Sequence, residues 1–280
     1  MKSVLKYPGA KWGIADWVIG FFPKHHSYLE PFFGSGGVFF NKSPSNIETI
    51  NDLDGEVVNL FECIRRDPER LCRSVHFTPY SREVFEETYL EKQIEDPFLR
   101  AERFLIRCNM GYGYRTNENR VGWKNDVSGR ERAYAAKAWC DLPDIIAQAA
   151  ERLRSVQIEN RPAVDLISRF NSRDVLVYCD PPYVLATRRG KQYRCEMTDN
   201  DHLQLLDTLK KHKGPVLISG YQSPMYDSEL ADWHRESRLT TDQLSRVKKE
   251  VLWMNFEPMG QTTLFNEQSW EGGRNESRTD

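Results

Sequence analysis

Hydrophobic positions change period along this chain, and the changes mark out its elements. Short apolar runs bounded by Gly, Pro, Asn or Asp occur at residues 28–30, 47–50, 156–159, 175–177, 215–220, 252–256 and 262–265. Each has the length and flanks of a buried strand. Helical spacing appears instead at Ile14, Trp17, Val18 and Phe21, closed by Pro23, and again over 56–66, 97–110, 129–153, 164–170 and 202–209. Strand–helix alternation stops near residue 62 and resumes near 156. The pattern predicts an α/β protein whose main domain, residues 1–61 and 156–280, is interrupted by an insert over 62–155. The insert reads as mainly helical around a hairpin at 111–128, where Gly and Asn supply the turns. The tail from Asn266 is polar and reads as loose.

Candidate chemistry falls at the ends of the predicted strands. The run Val175-Leu176-Val177 leads into Asp180-Pro181-Pro182-Tyr183. Two prolines remove two backbone donors and fix φ near about −65°, leaving a rigid ledge of carbonyls beside a carboxylate and an aromatic ring. Such a ledge suits a flat substrate with an exocyclic amino group: Asp180 and the Pro181 carbonyl accept its hydrogens and Tyr183 stacks on its ring. A strand-ending turn with a capping Asp is the plain alternative.

The first strand ends in Glu30-Pro31-Phe32-Phe33-Gly34-Ser35-Gly36-Gly37, which reads as a glycine loop opening a helix. Glycines there let the backbone approach a ligand and donate N–H groups to it. Glu30 argues against a phosphate ligand, and no Lys-Ser/Thr pair follows, which excludes a P-loop. The second strand ends in Asn51-Asp52-Leu53-Asp54. Asp52 is placed to hold ribose hydroxyls, and Asp54 to cap the helix that follows. A glycine loop without a pyrophosphate anchor, joined to a ribose acid, suits a nucleoside ligand, S-adenosylmethionine more than NAD.

Charge adds a local feature to a chain that is globally near neutral. Lys and Arg number 39 against 41 Asp and Glu, a net charge of −2, so any nucleic-acid site is a patch. Residues 107–137 hold seven basic and three acidic side chains with Asn and aromatics interleaved. Arg115, Asn117, Arg120 and Lys124 are the candidates there for phosphate and base contacts, and Arg188 and Arg189 form a basic loop beside Asp180. A solvated surface explains such charges equally well, as it does for Lys6 and Lys11 in the Gly/Pro loop near the N-terminus. The six cysteines show neither C-x-x-C pairing nor metal-ligand spacing, and no leader or membrane span is apparent. The expectation is a soluble, cytoplasmic protein without a metal.

Taken in order, Leu5-Lys6-Tyr7-Pro8-Gly9-Ala10-Lys11, Glu30-Pro31-Phe32-Phe33-Gly34-Ser35-Gly36, Asp52-Leu53-Asp54 and Asp180-Pro181-Pro182-Tyr183 resemble the D12 class of DNA adenine-N6 methyltransferases. The likeness runs from about Leu5 to Phe256. It implies a seven-stranded Rossmann-like sheet with an inserted DNA-recognition domain, S-adenosylmethionine as cofactor, double-stranded DNA as partner and monomeric action. It places Tyr7, Lys11, Glu30, Pro31, Phe32, Gly34, Ser35, Gly36, Asp52 and Asp180 around the methyl donor, Lys6 toward the target base, and Asp180 through Tyr183 at the reaction. Tyr7 stands where Trp is common and Ala10 where Gly is. The hairpin matches in chemistry, not position by position, so the target sequence stays open. An adenine must leave the duplex for this reaction, and an already activated sulfonium requires neither metal nor covalent intermediate. A cytosine-N4 enzyme would more often carry Ser in place of Asp180. An RNA or protein methyltransferase, a catalytically silent DNA-binding module and an NAD oxidoreductase are the remaining alternatives.

Overall fold

Six of the apolar runs, joined by one polar edge strand, assemble into a seven-stranded sheet, seen in a computed structural model that describes residues 1–90, 93–113, 115–117, 119–125, 135–188, 190–241 and 247–258. Helix α1 (Ala15–Ile19) precedes strands β1 (Ser27–Glu30) and β2 (Ile47–Asn51). Helices α2 (Gly55–Arg66), α3 (Pro68–Phe77), α4 (Arg82–Glu87), α5 (Pro97–Met110), α6 (Ala135–Cys140) and α7 (Leu142–Leu153) come next. The chain then returns to the sheet through β3 (Gln157–Glu159), α8 (Ala163–Arg169), β4 (Val175–Cys179), α9 (Asp199–Lys210), β5 (Val216–Tyr221) and α10 (Pro224–Glu229). It closes with β6 (His234–Thr241) and β7 (Val247–Met254).

Strand order is β3-β2-β1-β4-β5-β7-β6. The first five strands are parallel, and β7 runs antiparallel between β5 and β6. This is a Rossmann-like arrangement, with its topological switch between β1 and β4. Both faces of the sheet are covered, which explains why β4 is apolar throughout instead of alternating. Leu176 and Tyr178 pack toward α2, α3, α5 and α7, whereas Val175, Val177 and Cys179 pack toward α8, α9 and α10. Because β1, β2 and β4 are parallel, the loops after Glu30, Asn51 and Cys179 all emerge at one edge. The antiparallel β7 brings a residue from its middle to that same edge, since Glu250 pairs with Tyr221 at the end of β5.

Local chemistry sets the helix boundaries. Asp54 caps α2 by accepting from Glu56 N at 3.0 Å, as expected. Asp96 caps α5, with Pro97 in its first turn. Position 62, the expected start of the insert, falls inside α2, which packs against α5 and α7.

Three expectations need correction or placement, and one strand was not expected. The helix expected over 129–153 is broken before Leu142, because Pro143 has no N–H with which to continue the ladder, and its first residues, 129–134, lie outside the described residues. The glycine loop opens into turns over 37–41, not a helix; Phe40 N bonds Gly36 O at 2.9 Å and Pro44 forbids continuation. Strand β6 went unforeseen because an edge strand tolerates the polar sequence His-Arg-Glu-Ser-Arg. The strand expected at 262–265 lies outside the described residues. Among the described residues no helix is long and apolar enough to cross a membrane.

Candidate active site

A cavity of about 290 Å³ opens where the loops after β1, β2 and β4 converge. Its lining includes Tyr7, Lys11, Glu30, Phe32, Gly34, Ser35, Asp52, Asp180 and Pro182 of the expected site residues. Pro31, Gly36, Pro181 and Tyr183 stand beside them in sequence but are not part of that lining. Lys6 is half-buried next to Tyr7 and is not in the lining either.

One half of the cavity is organised by Asp52. Its Oδ2 accepts from Gly34 N at 2.8 Å and its Oδ1 from Asp54 N at 2.9 Å, so one carboxylate ties the glycine loop to the end of β2. Gly34 has φ +51°, and a Cβ there would stand 3.0 Å from Tyr7 Cδ1. The position therefore needs glycine for both backbone and space. Trp12 Nε1 donates to Ser35 Oγ at 3.1 Å, fixing the next turn of the loop. Burial pushes the Asp52 carboxyl up to about 7, against the Gly34, Asp54 and Leu53 amides that favour its charge. Glu30 is more deeply affected: burial raises it to about 8 while its partner Tyr28, donating at 2.6 Å, opposes the rise.

The other half is a charge cluster. Lys11 Nζ lies 2.8 Å from Asp180 Oδ1 and 3.5 Å from Glu250 Oε1, and donates to Gly9 O at 2.7 Å. Burial works against the Lys11 charge, but Asp180 and Glu250 outweigh it and hold the ammonium above the usual lysine range. Ser219 Oγ also donates to Asp180 Oδ1, at 2.8 Å. Oδ1 is thus engaged twice. Tyr183 donates its hydroxyl to Glu250 and carries Lys11 Nζ 4.8 Å from its ring centroid. Burial pushes the Glu250 carboxyl above its ordinary range even with Lys11 beside it.

Glu250 was not foreseen. Its sequence context, Val247-Lys248-Lys249-Glu250, reads as solvated, and only the antiparallel pairing with β5 carries it inward. Tyr193 was not singled out either; it lines the cavity with its ring 5.9 Å from that of Tyr7.

The expected DNA-contacting residues scatter. Arg188 is half-buried with its side chain turned inward, the guanidinium pairing with Glu196 and Nε donating to Tyr183 O at 2.6 Å. Arg189 lies outside the described residues. Asn117 Nδ2 donates to Lys191 O at 2.8 Å. Arg120 sits 3.7 Å from Glu86 and packs over Tyr89, and the backbone of Lys124 bonds Met110 and Tyr80. Exposed Arg115 lines a second cavity of about 680 Å³ together with Arg100, Arg107 and Arg194.

Fold and site together define a Rossmann-like methyltransferase. The sequence matches the family described as D12 class N6 adenine-specific DNA methyltransferase over residues 7–246, and the chain belongs to that family. A protein named DNA adenine methylase from Salmonella typhi is 27% identical over 263 residues, 88% of this chain and 88% of that one. The DNA adenine methylase of Escherichia coli strain K12 is 26% identical over 265 residues, again 88% of each. Type II methyltransferase M1.LlaDCHI of Lactococcus lactis subsp. cremoris is 24% identical over 258 residues, covering 84% of this chain and 86% of that one. The protein is accordingly a DNA N6-adenine methyltransferase.

Proposed function

We propose that the protein moves the methyl group of S-adenosylmethionine to N6 of an adenine flipped out of double-stranded DNA. The observation that carries this reading is the meeting, in one cavity, of the Asp52–Gly34 cradle with an Asp180 carboxylate held through its Oδ1 by Lys11 and Ser219. The residues fit the cofactor: Asp52 would accept ribose hydroxyls, Phe32 and Tyr7 offer flat surfaces, and the Gly34 approach leaves room a side chain would fill. When bound, S-adenosylmethionine supplies an already electrophilic methyl.

The remaining chemistry belongs to the chain. The N6 lone pair is delocalised into the purine ring and needs help to become a nucleophile. Asp180 Oδ2 and the Pro181 carbonyl accept the two N6–H bonds, and these bonds strengthen as positive charge develops on nitrogen. Lys11 and Ser219 fix the Asp180 carboxylate from its other oxygen, so Oδ2 is aimed before substrate arrives. Tyr183, anchored by Glu250 and packed against Lys11, backs the reacting group. Flipping exposes the base to these groups at a cost of a few kcal/mol, offset by stacking of about 1–3 kcal/mol per base.

Residues 62–155 serve as the recognition domain, with Arg115, Arg120 and Lys124 toward the DNA backbone and Lys6 toward the target base. The enzyme acts in the cytoplasm as a monomer without an obligatory protein partner. Nucleoside mass spectrometry of unmethylated DNA incubated with enzyme and donor tests the reaction. N6-methyladenine is expected; N4-methylcytosine, or methylation of RNA or protein alone, would contradict it.

A further inference from the structure

The segment after the Asp-Pro-Pro-Tyr motif is tied down from two sides. From the catalytic side, Arg188 donates to Tyr183 O at 2.6 Å and to Gly190 O at 2.9 Å, and pairs with Glu196. Glu196 Oε1 in turn accepts from Gln192 N at 2.6 Å and Tyr193 N at 3.0 Å. From the recognition side, Thr116 N donates to Gln192 O at 2.9 Å and Asn117 Nδ2 to Lys191 O at 2.8 Å. Asn117 Oδ1 accepts from Asn119 N at 3.3 Å, so both ends of its amide are engaged within the chain.

Tyr193 lies between these anchors and faces the active-site cavity alongside Asp180 and Lys11. Its hydroxyl oxygen would be 2.5 Å from a Cβ at Gly9, whose φ of +69° also calls for glycine. The ring can close over the Tyr7–Lys11 loop only because that side chain is missing.

We propose that residues 190–196 form a strap through which the recognition segment sets the position of Tyr193, that Tyr193 is the wall of the acceptor-base pocket facing the Tyr7–Lys11 loop, and that Thr116 and Asn117 are positioning residues for methyl transfer instead of DNA readers. This rests on the reading of the acceptor as a flipped adenine. A correctly held recognition segment then shapes the pocket in which the base is methylated, so recognition and transfer share one hydrogen-bonded element. Nothing covalent changes in the strap; it acts by placement.

The test compares wild type with Asn117→Ala, Tyr193→Phe, Tyr193→Ala and the double variant Asn117→Ala/Tyr193→Ala. Two quantities are measured on unmethylated plasmid DNA: equilibrium DNA affinity, and the single-turnover transfer rate at saturating DNA and donor. Asn117→Ala is expected to bind DNA within twofold of wild type yet transfer at least tenfold more slowly. Tyr193→Ala should lose a similar factor, Tyr193→Phe should stay within threefold because the ring remains, and the double variant should be no slower than the worse single one. Weakened DNA binding by Asn117→Ala with an intact saturated rate would make it a DNA reader and overturn the inference. Losses that multiply in the double variant would overturn it too. A wild-type enzyme that methylates no DNA would instead sink the proposed function, and this inference with it.

Discussion

Removing Glu250 should cost both stability and turnover. In Glu250→Ala the Tyr183 hydroxyl loses its acceptor inside a site where Tyr183 is only 9% exposed. A buried polar group stranded in this way costs about 1–3 kcal/mol. Lys11 loses the carboxylate at 3.5 Å but keeps Asp180 at 2.8 Å, so only part of the penalty for breaking a buried ion pair applies. That full penalty is about 3–5 kcal/mol, so the sum expected here is about 2–4 kcal/mol. Thermal melting should fall by about 5–15 °C for a chain of this size. Glu250→Gln keeps an oxygen for Tyr183 and should lose less than half as much. Turnover should fall further than stability implies, because Lys11 and Tyr183 both take their positions from Glu250. A displacement of about 1 Å at a reacting centre can cost a hundredfold, and a drop in kcat of about 10–100-fold at 25 °C is the expectation for Glu250→Ala. Calorimetry and steady-state methylation on plasmid DNA read the two effects. An alanine variant that melts and turns over like wild type would refute the assignment of Glu250 as the anchor of this cluster.

Three further outcomes follow from the geometry around Gly34 and from the raised carboxyls of Asp52 and Glu30. Gly34→Ala forces a side chain into φ +51° against Tyr7, at about 1–2 kcal/mol, and titration calorimetry should show donor affinity about tenfold weaker. Because Asp52 is raised to about 7, its carboxylate predominates above that pH and is lost as pH falls through it. Donor binding should therefore tighten from pH 6 to pH 8, and Asp52→Asn should flatten that dependence while weakening binding at pH 8. The raised Glu30 and Asp52 also mean that the folded protein holds protons the unfolded chain has released near neutral pH. Their contribution to stability should accordingly fall as pH rises from about 4 toward 8, which proton uptake measured on refolding at pH 6 would check.

How much of this was legible in the sequence depends on how far each interaction reaches along the chain. The Asp54 cap, the glycine loop and the Asp-Pro-Pro-Tyr ledge are local, and residue identity at adjacent positions was enough to read them. The parallel order of β1, β2 and β4 then brought their loops together, as an alternating strand–helix pattern requires. Other features depend on pairs remote in sequence. Glu250 meets Tyr183 across 67 positions, and Asn117 meets Lys191 across 74. Polar residues in such contacts carry no periodic signature, so Glu250 read as surface and Asn117 and Arg188 read as free hands for DNA. Strand β6 was missed for a related reason: at the sheet's edge one side of its backbone faces solvent, and its side chains have no need to be apolar.

The central claim is that Asp180 activates an adenine amino group in DNA. The most direct measurement expresses wild type and Asp180→Ala in a host lacking adenine methylation and locates N6-methyladenine by single-molecule sequencing. Wild type should modify adenines within one short motif and Asp180→Ala none, although the variant still binds DNA. Methylation that survives in Asp180→Ala, or a wild type that binds donor and DNA yet modifies no adenine, would contradict it.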